Sequence, residues 1–486
     1  MKVSRTSSAL LSTSFAAAIA SVAAGQAIGP DCISSGHADV ARNGANAAGT
    51  VIGYSVGSVT CNHGDMPMAA SPNNSIRPLM GEEMYRLKTY AAPGGATYQR
   101  LEEIGQGWVK WIAVPVNGSS STCGTCAGAA PTGYMNVNCS DIYGSGFNGP
   151  QGMARRSIIN ATTGYLSGTR GGGTAETNIN TRIQVLASDL SGQPAGTRYF
   201  IESVHLLPHD ASYVRAGQTV AINAMNNAAS QEINVNAGVG NPVLMGGGNQ
   251  QIPVIQRWKD LDPSISLVTA DHDDTPNPDP NFPNTFIRSR YYVASKATDI
   301  GGGLWRYEVA VYNLNSDRSA GSFSVPLPGS ASFTDFAFHN APAHSGEAIS
   351  NAAWTSARAG NFVTFTTEKY ADNAAANAIR WGSLYNFGFT TNVAPSSGRG
   401  VLKLFKPGAV QLVIASNLSL PTVCTADVVS DNALTADDVI AFLAGFFDDD
   451  LATADIASVG GISAPDGQLT ADDIVVFLSA FFAGCP

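Results

Sequence analysis

Around residues 304–314 apolar side chains fall on every second position. Trp305, Tyr307, Val309 and Val311 are interleaved with Arg306 and Glu308. A period of two belongs to a strand with one face buried and the other in water. Comparable patterns at 291–297, 322–327, 333–339, 362–367, 379–389 and 401–405 bring the set to about seven strands. Short strands separated by turn residues predict a β-sandwich over 263–420. Weaker strand patterns at 50–60, 104–116, 181–186 and 198–207 make 28–262 a second β-rich unit. Between the two, residues 271–283 hold four prolines and four aspartates, which predicts a domain boundary or a long surface loop.

The period changes in the last stretch of the chain. Val439, Ile440, Phe442, Leu443, Phe446 and Phe447 recur at spacings of three and four, and Ile474, Phe477, Leu478, Phe481 and Phe482 do the same. Each set predicts a helix with one apolar face, and two such faces can pack together. Thr435 and Thr470 stand at the N-cap positions, where a hydroxyl accepts backbone N–H bonds. The aspartates just behind them favour the positive end of the helix dipole. The expected organisation is 1–27, 28–262, 263–420 and 421–486: a mainly β body followed by a small α-helical module. Lys2 and Arg5 precede a small apolar core at 9–20 and small residues after it, the pattern of a secretory signal peptide. No later stretch reaches about eighteen apolar residues, so no membrane span is expected.

Charge sharpens this division. The formal net charge is −10, and residues 424–486 contain eleven aspartates but no Glu, Lys, Arg or His. The rest is close to neutral and has no basic cluster, which excludes a nucleic-acid binder. Only 13% of residues are charged and 51 are glycine, a composition suited to a secreted, turn-rich β protein. Seven cysteines in an exported chain point to disulfides. Cys424 and Cys485 bracket the tail and are expected to pair, worth roughly 4 kcal/mol in the chain-entropy account. Cys61, Cys123, Cys126 and Cys139 offer two disulfides or a four-thiolate zinc site, leaving Cys32 over.

The tail also repeats a loop. Asp427, Asp431 and Asp438 fall at positions 1, 5 and 12 of a twelve-residue calcium loop. Asn432 occupies the sharp turn at position 6, Ala433 offers its carbonyl, Leu434 points inward, and Thr435 offers a side chain or a held water. The second copy keeps Asp466, Gly467, Gln468, Leu469 and Asp473, with Asp455 displaced by a seven-residue insertion. This tail resembles a type I dockerin, in particular the C-terminal dockerin-like variety on bacterial secreted proteins that ends in Gly-Cys, as Gly484-Cys485 does here. The resemblance covers about one eighth of the chain. It implies calcium binding and docking to a cohesin-like or cell-surface protein. Segments of the body, such as Trp305–Ser319 and Asn377–Phe389, resemble those of bacterial secreted β-rich proteins with the same tail, without implying an activity.

The body offers weaker chemistry. Gly53-Tyr54-Ser55-Val56-Gly57 matches a nucleophile pattern that needs a strand-to-helix turn, but β-like residues follow it. His205 and His209 are four apart with Pro208 between them, which disfavours a helical metal pair. His339, His344 and Glu347 share one loop. Glu82, Glu83, Glu102, Glu103, Glu202, Glu308 and Glu347 are candidates for a glycosidase carboxylate pair, and Trp108, Trp111, Trp305 and Trp381 for sugar stacking. The reading that results is a secreted, extracellular or cell-surface protein, non-enzymatic, displayed through a calcium-binding dockerin-like module. A polysaccharide-acting hydrolase, such as a glycoside hydrolase, or a carbohydrate-binding protein with the same appendage is the alternative.

Overall fold

The computed structural model describes residues 27–70, 78–111, 117–147, 153–168, 171, 178–359, 361–421, 424, 426–429, 433–457, 461 and 467–484. Strands dominate the body, and the two longest helices lie in the tail. The protein is therefore mainly β. Its four larger sheets have four, seven, six and five strands.

Residues of the four-stranded sheet (Val40, Ile52, Tyr54, Val56) share a core with Met84, Ile104, Tyr199 and Ile201 of the seven-stranded sheet. The opposite face of the seven-stranded sheet, through Tyr85, Leu87, Phe200 and Val204, packs on Ala294, Ala310, Tyr312 and Leu384 of the six-stranded sheet. The far face of that sheet buries Val293, Tyr307, Val309 and Phe387 against Phe323, Phe365 and Leu402 of the five-stranded sheet. Adjacent residues such as Ile201 and Phe200 thus serve different cores, as strand alternation requires. The body is a stack of four β layers, and a continuous core crosses residue 262.

This stacking changes the reading of Leu304–Asn313. One buried face is expected, yet Arg306 through Asn313 are all buried. Its even positions face another sheet, not water. Arg306 and Glu308 are 4% and 2% exposed. Charge survives there through pairing: Arg100 Nε and Nη2 donate to the two Glu308 oxygens at 2.7 and 3.0 Å, and Arg306 Nε donates to Glu308 at 2.8 Å. Such bidentate forks suit buried carboxylates.

The stretch 271–283 also differs from the expected boundary loop. Its first part belongs to the strand Ser266–Pro276, paired antiparallel with Phe286–Gly301. Asp271 accepts two bonds from Arg290 at 2.8 Å, and Asp273 accepts from Arg288. Opposite charges facing each other across a ladder stabilise the pairing that the aspartates alone disfavour. The predicted strand at 104–116 is two shorter ones, Thr97–Gln106 and Val109–Trp111, and 112–116 lie outside the described residues.

In the tail, helices Ala436–Phe447 and Ala471–Ala483 begin at Thr435 and Thr470, each with a full capping box. The Thr hydroxyl accepts from the backbone while an aspartate three residues on reaches back, so two orphan donors are satisfied at once.

Candidate functional site

The duplicated tail brings most of its predicted site residues into equivalent places. Phe442 and Phe477 stack at its centre, ring centroids 4.1 Å apart and planes 5° from parallel. Around them pack Ala426, Ala454 and Ile456. Asp438 and Asp473 are fully buried at the helix starts. The Asp438 carboxylate accepts the N–H of Thr435 at 2.9 Å and that of Val429 at 3.0 Å. Asp473 accepts from Thr470 at 2.7 Å and from Ile456 and Ala457 at 2.9 and 2.7 Å. Each aspartate therefore ties its own helix to the loop that precedes it.

Asp427 and Asp455 are 8% and 7% exposed. Asp455 accepts the Gly467 N–H at 2.7 Å, so the insertion does not carry it away from the second loop. Gly467 has φ +85, a left-handed turn that glycine adopts without steric cost. Gln468 sits beside it, and Ala433 precedes the first helix with Thr435. Asp431, Asp466 and Cys485 lie outside the described residues. Cys424 is disulfide-bonded.

Among the described residues no group of three or more His, Cys, Asp or Glu side chains comes together as a metal site. Four aspartates are nearly or fully buried in a module whose sequence has no cationic side chain. Buried carboxylates need hydrogen bonds and positive charge to offset lost hydration, and oxygen-only donor sets suit calcium. Asp427, Asp438, Asp455 and Asp473, with Ala433, Thr435 and Gln468, are the described members of the expected ligand set.

The helix surface differs from expectation. A single apolar face is predicted on each helix, but the apolar residues divide. Phe442 and Phe477 are buried, while Ile440, Leu443 and Phe447 point outward at 64, 37 and 76% exposure. Their repeat equivalents Val475, Leu478 and Phe482 are 56, 39 and 82% exposed. The sequence carries a hint of this: the first helix has six large apolar side chains from Val439 to Phe447, more than one stripe against a small partner can bury.

The body's candidates are used structurally. Ser55 lies within the strand Val51–Asn62 and receives the Asn43 amide at 2.8 Å. His205 bonds Thr60 at 2.8 Å, and His209 Nδ1 accepts the Ala69 N–H. His339 and His344 reach the Glu103 and Gln106 carbonyls at 2.8 and 2.6 Å, while Glu347 accepts the Arg156 N–H at 2.7 Å. That loop is a clasp onto the seven-stranded sheet. Glu82, Glu83, Glu102, Glu103, Glu202 and Glu308 are all buried. Burial pushes Glu83 up to about 7 and Glu202 up to about 8, and Arg156 pairs with Glu83. Trp108 and Trp381 are buried and Trp305 is half-buried, so they serve packing. Cys61–Cys123 and Cys126–Cys139 are disulfides and Cys32 is free, which resolves the zinc alternative in favour of bonds.

Fold and site together define a class: a multilayer β body carrying a duplicated, acidic helical module. No family model matches the chain, and no curated protein matches it. Among solved structures it is similar to the serine-rich repeat adhesion glycoprotein Srr1 from Streptococcus agalactiae. That similarity has 9% identity over 76% of this chain and 88% of that one, with a TM-score of 0.19, too low to carry an argument. No helix among the described residues is long and apolar enough to cross a membrane.

Proposed function

We propose that this is an extracellular, surface-associated protein whose β body is displayed through the calcium-binding, dockerin-like tail, with a cohesin-like protein as its partner. The observation that carries the reading is the pair of exposed stripes Ile440, Leu443, Phe447 and Val475, Leu478, Phe482. Apolar surface repeated on both copies of a small module is the mark of an interaction face. The buried aspartates supply the reason for calcium: the ion holds both loops, and the loops orient both helices. Two disulfides suit an oxidising compartment. Six of the seven glutamates weighed for the hydrolase alternative are buried.

The test is binding of the full mature chain to an immobilised panel of type I cohesin domains, in calcium and in chelator. Saturable, calcium-dependent binding that Phe447→Ser combined with Phe482→Ser abolishes is the expected result. No binding to any cohesin, with melting curves identical in calcium and chelator, overturns the proposal.

A further inference from the structure

The two exposed stripes of the tail match in apolar content and differ in charge. The outer rings are held alike: Phe446 meets Phe447 edge-on at 5.8 Å, and Phe481 meets Phe482 edge-on at 5.8 Å. On the first helix Ile440, Leu443 and Phe447 are followed by Leu451, 45% exposed. Asp437 is exposed one turn before Ile440, and Asp448, Asp449 and Asp450 are exposed just past Phe447. On the second helix Ser479 is exposed beside Leu478, and Asp472 is half-buried. Ala483 and Gly484 stand where the first copy has Asp448 and Asp449. Aspartates at a helix C-terminus work against the helix, because the dipole there is negative and adjacent like charges repel. The end is closed by main chain: the Asp448 N–H bonds the Ala444 carbonyl at 3.0 Å and the Asp450 N–H that of Gly445 at 2.9 Å. Asp449 takes a left-handed φ of 55, which glycine adopts more easily. The helix gains nothing from the charge of these acids.

We propose that the first stripe docks on a protein partner whose apolar face is bordered by lysine and arginine side chains, and that the second stripe is not its equal in the complex. This rests on reading the tail as a docking module. A basic border answers both features of the first copy, since it covers the rings and meets the acids at each end of them. A second copy of the tail does not answer them. Residues 424–486 contain no Lys, Arg or His, so that pairing would set acid against acid. An anionic membrane fails for the same reason. The division of labour follows from position. The rings form the dry centre of the contact, and the aspartates form a rim that steers association and makes it sensitive to salt.

The experiment titrates the full mature chain, at fixed calcium, with three helical peptides that share a leucine face and carry lysine, glutamine or glutamate elsewhere. The lysine peptide should saturate, with its affinity falling at least about tenfold between about 0.05 and 0.5 M salt. Phe447→Ser should weaken it about tenfold or more, and Leu443→Ser covers the case in which Phe447→Ser misfolds. Asp448→Asn with Asp449→Asn should remove most of the salt dependence at an unchanged or higher melting temperature. Phe482→Ser and Asp472→Asn should each leave the affinity within about twofold. Equal binding of the glutamine or glutamate peptide, equal weakening by Phe482→Ser, or no saturation by the lysine peptide overturns the proposal. The cohesin panel keeps the two readings apart. Cohesin binding indifferent to salt and to Asp448→Asn with Asp449→Asn overturns the basic border and leaves the docking role. Selectivity for the lysine peptide without cohesin binding supports the basic border and removes only the cohesin.

Discussion

Body and tail handle charge and apolar surface in opposite ways. The body buries acids and bases together: Arg86 with Glu102, Arg100 with Glu308, Lys110 with Glu82 at 2.8, 2.7 and 2.8 Å. The tail, whose sequence has no basic side chain, holds its buried Asp438 and Asp473 with backbone N–H groups. The body's sheets consume their aromatic side chains in three successive cores, whereas the tail leaves Phe447 and Phe482 largely in water. The tail's sequence holds no cationic side chain, and its helices leave large apolar side chains exposed.

The largest effect should come from cutting into the body's self-sufficiency. Arg100→Ala leaves buried Glu308 with Arg306 as its remaining cation, and removing one member of a buried ion cluster costs up to about 3–5 kcal/mol. Denaturant unfolding should show this loss in the body transition with the tail transition unmoved. A loss below about 1 kcal/mol would mean that water reaches Glu308 and the layers are less closed than described.

Calcium should act on the other side of the comparison. Binding to the folded tail alone adds about 2.7 kcal/mol at a hundredfold excess over the dissociation constant. In the full chain the tail transition should rise in calcium and fall in chelator while the body transition stays put. Asp438→Ala with Asp473→Ala should remove the shift. Movement of both transitions together would erase the distinction between the regions.

A subtler difference lies in pH. Glu202 receives the Tyr85 hydroxyl at 3.1 Å inside the body, and burial raises it from 4.5 to about 8. Folded protein then holds a proton that unfolded chain releases, so stability is full below 4.5 and declines as pH rises toward 8. His37 and His205 are lowered to about 4 and 3 by burial. Their contribution is complete above 6.5 and fades on acidification through the folded values, leaving the window from 6.5 to 8 to the acids. There the body should lose about 1.4 kcal/mol per pH unit from such a group. Glu202→Gln should flatten the slope as followed by chemical denaturation at stepped pH.

The smallest stability effect should come from Phe447→Ser with Phe482→Ser. Exposed positions usually change stability by less than about 0.5 kcal/mol, so the tail should melt almost as before. A drop of several kcal/mol would place these rings in a core and remove the open surface on which the contrast rests.

Period-two and period-three-to-four patterns located most strands of 263–420 and both tail helices, and Thr435 and Thr470 marked the helix starts. These features are local: side-chain direction and capping depend on residues a few positions apart. Asp438 and Asp473, read as calcium ligands at position 12 and as acids favouring the helix starts, stand in the capping boxes of those helices. The second faces were not legible. Arg306 and Glu308 look like a solvated edge until Arg100, two hundred residues earlier, is laid across them. Asp271 and Asp273 look like linker residues until Arg290 and Arg288 stand opposite.

By itself the sequence determined a β-rich body, an acidic duplicated tail and the boundary between them, because periodicity, capping and composition act over short distances. Tertiary structure alone decided that the body is four stacked layers and that six of its glutamates lie inside. It also decided which tail apolar residues are left outside. Those outcomes depend on which face meets which, and a strand or helix carries the same pattern whether its second face meets water or another sheet.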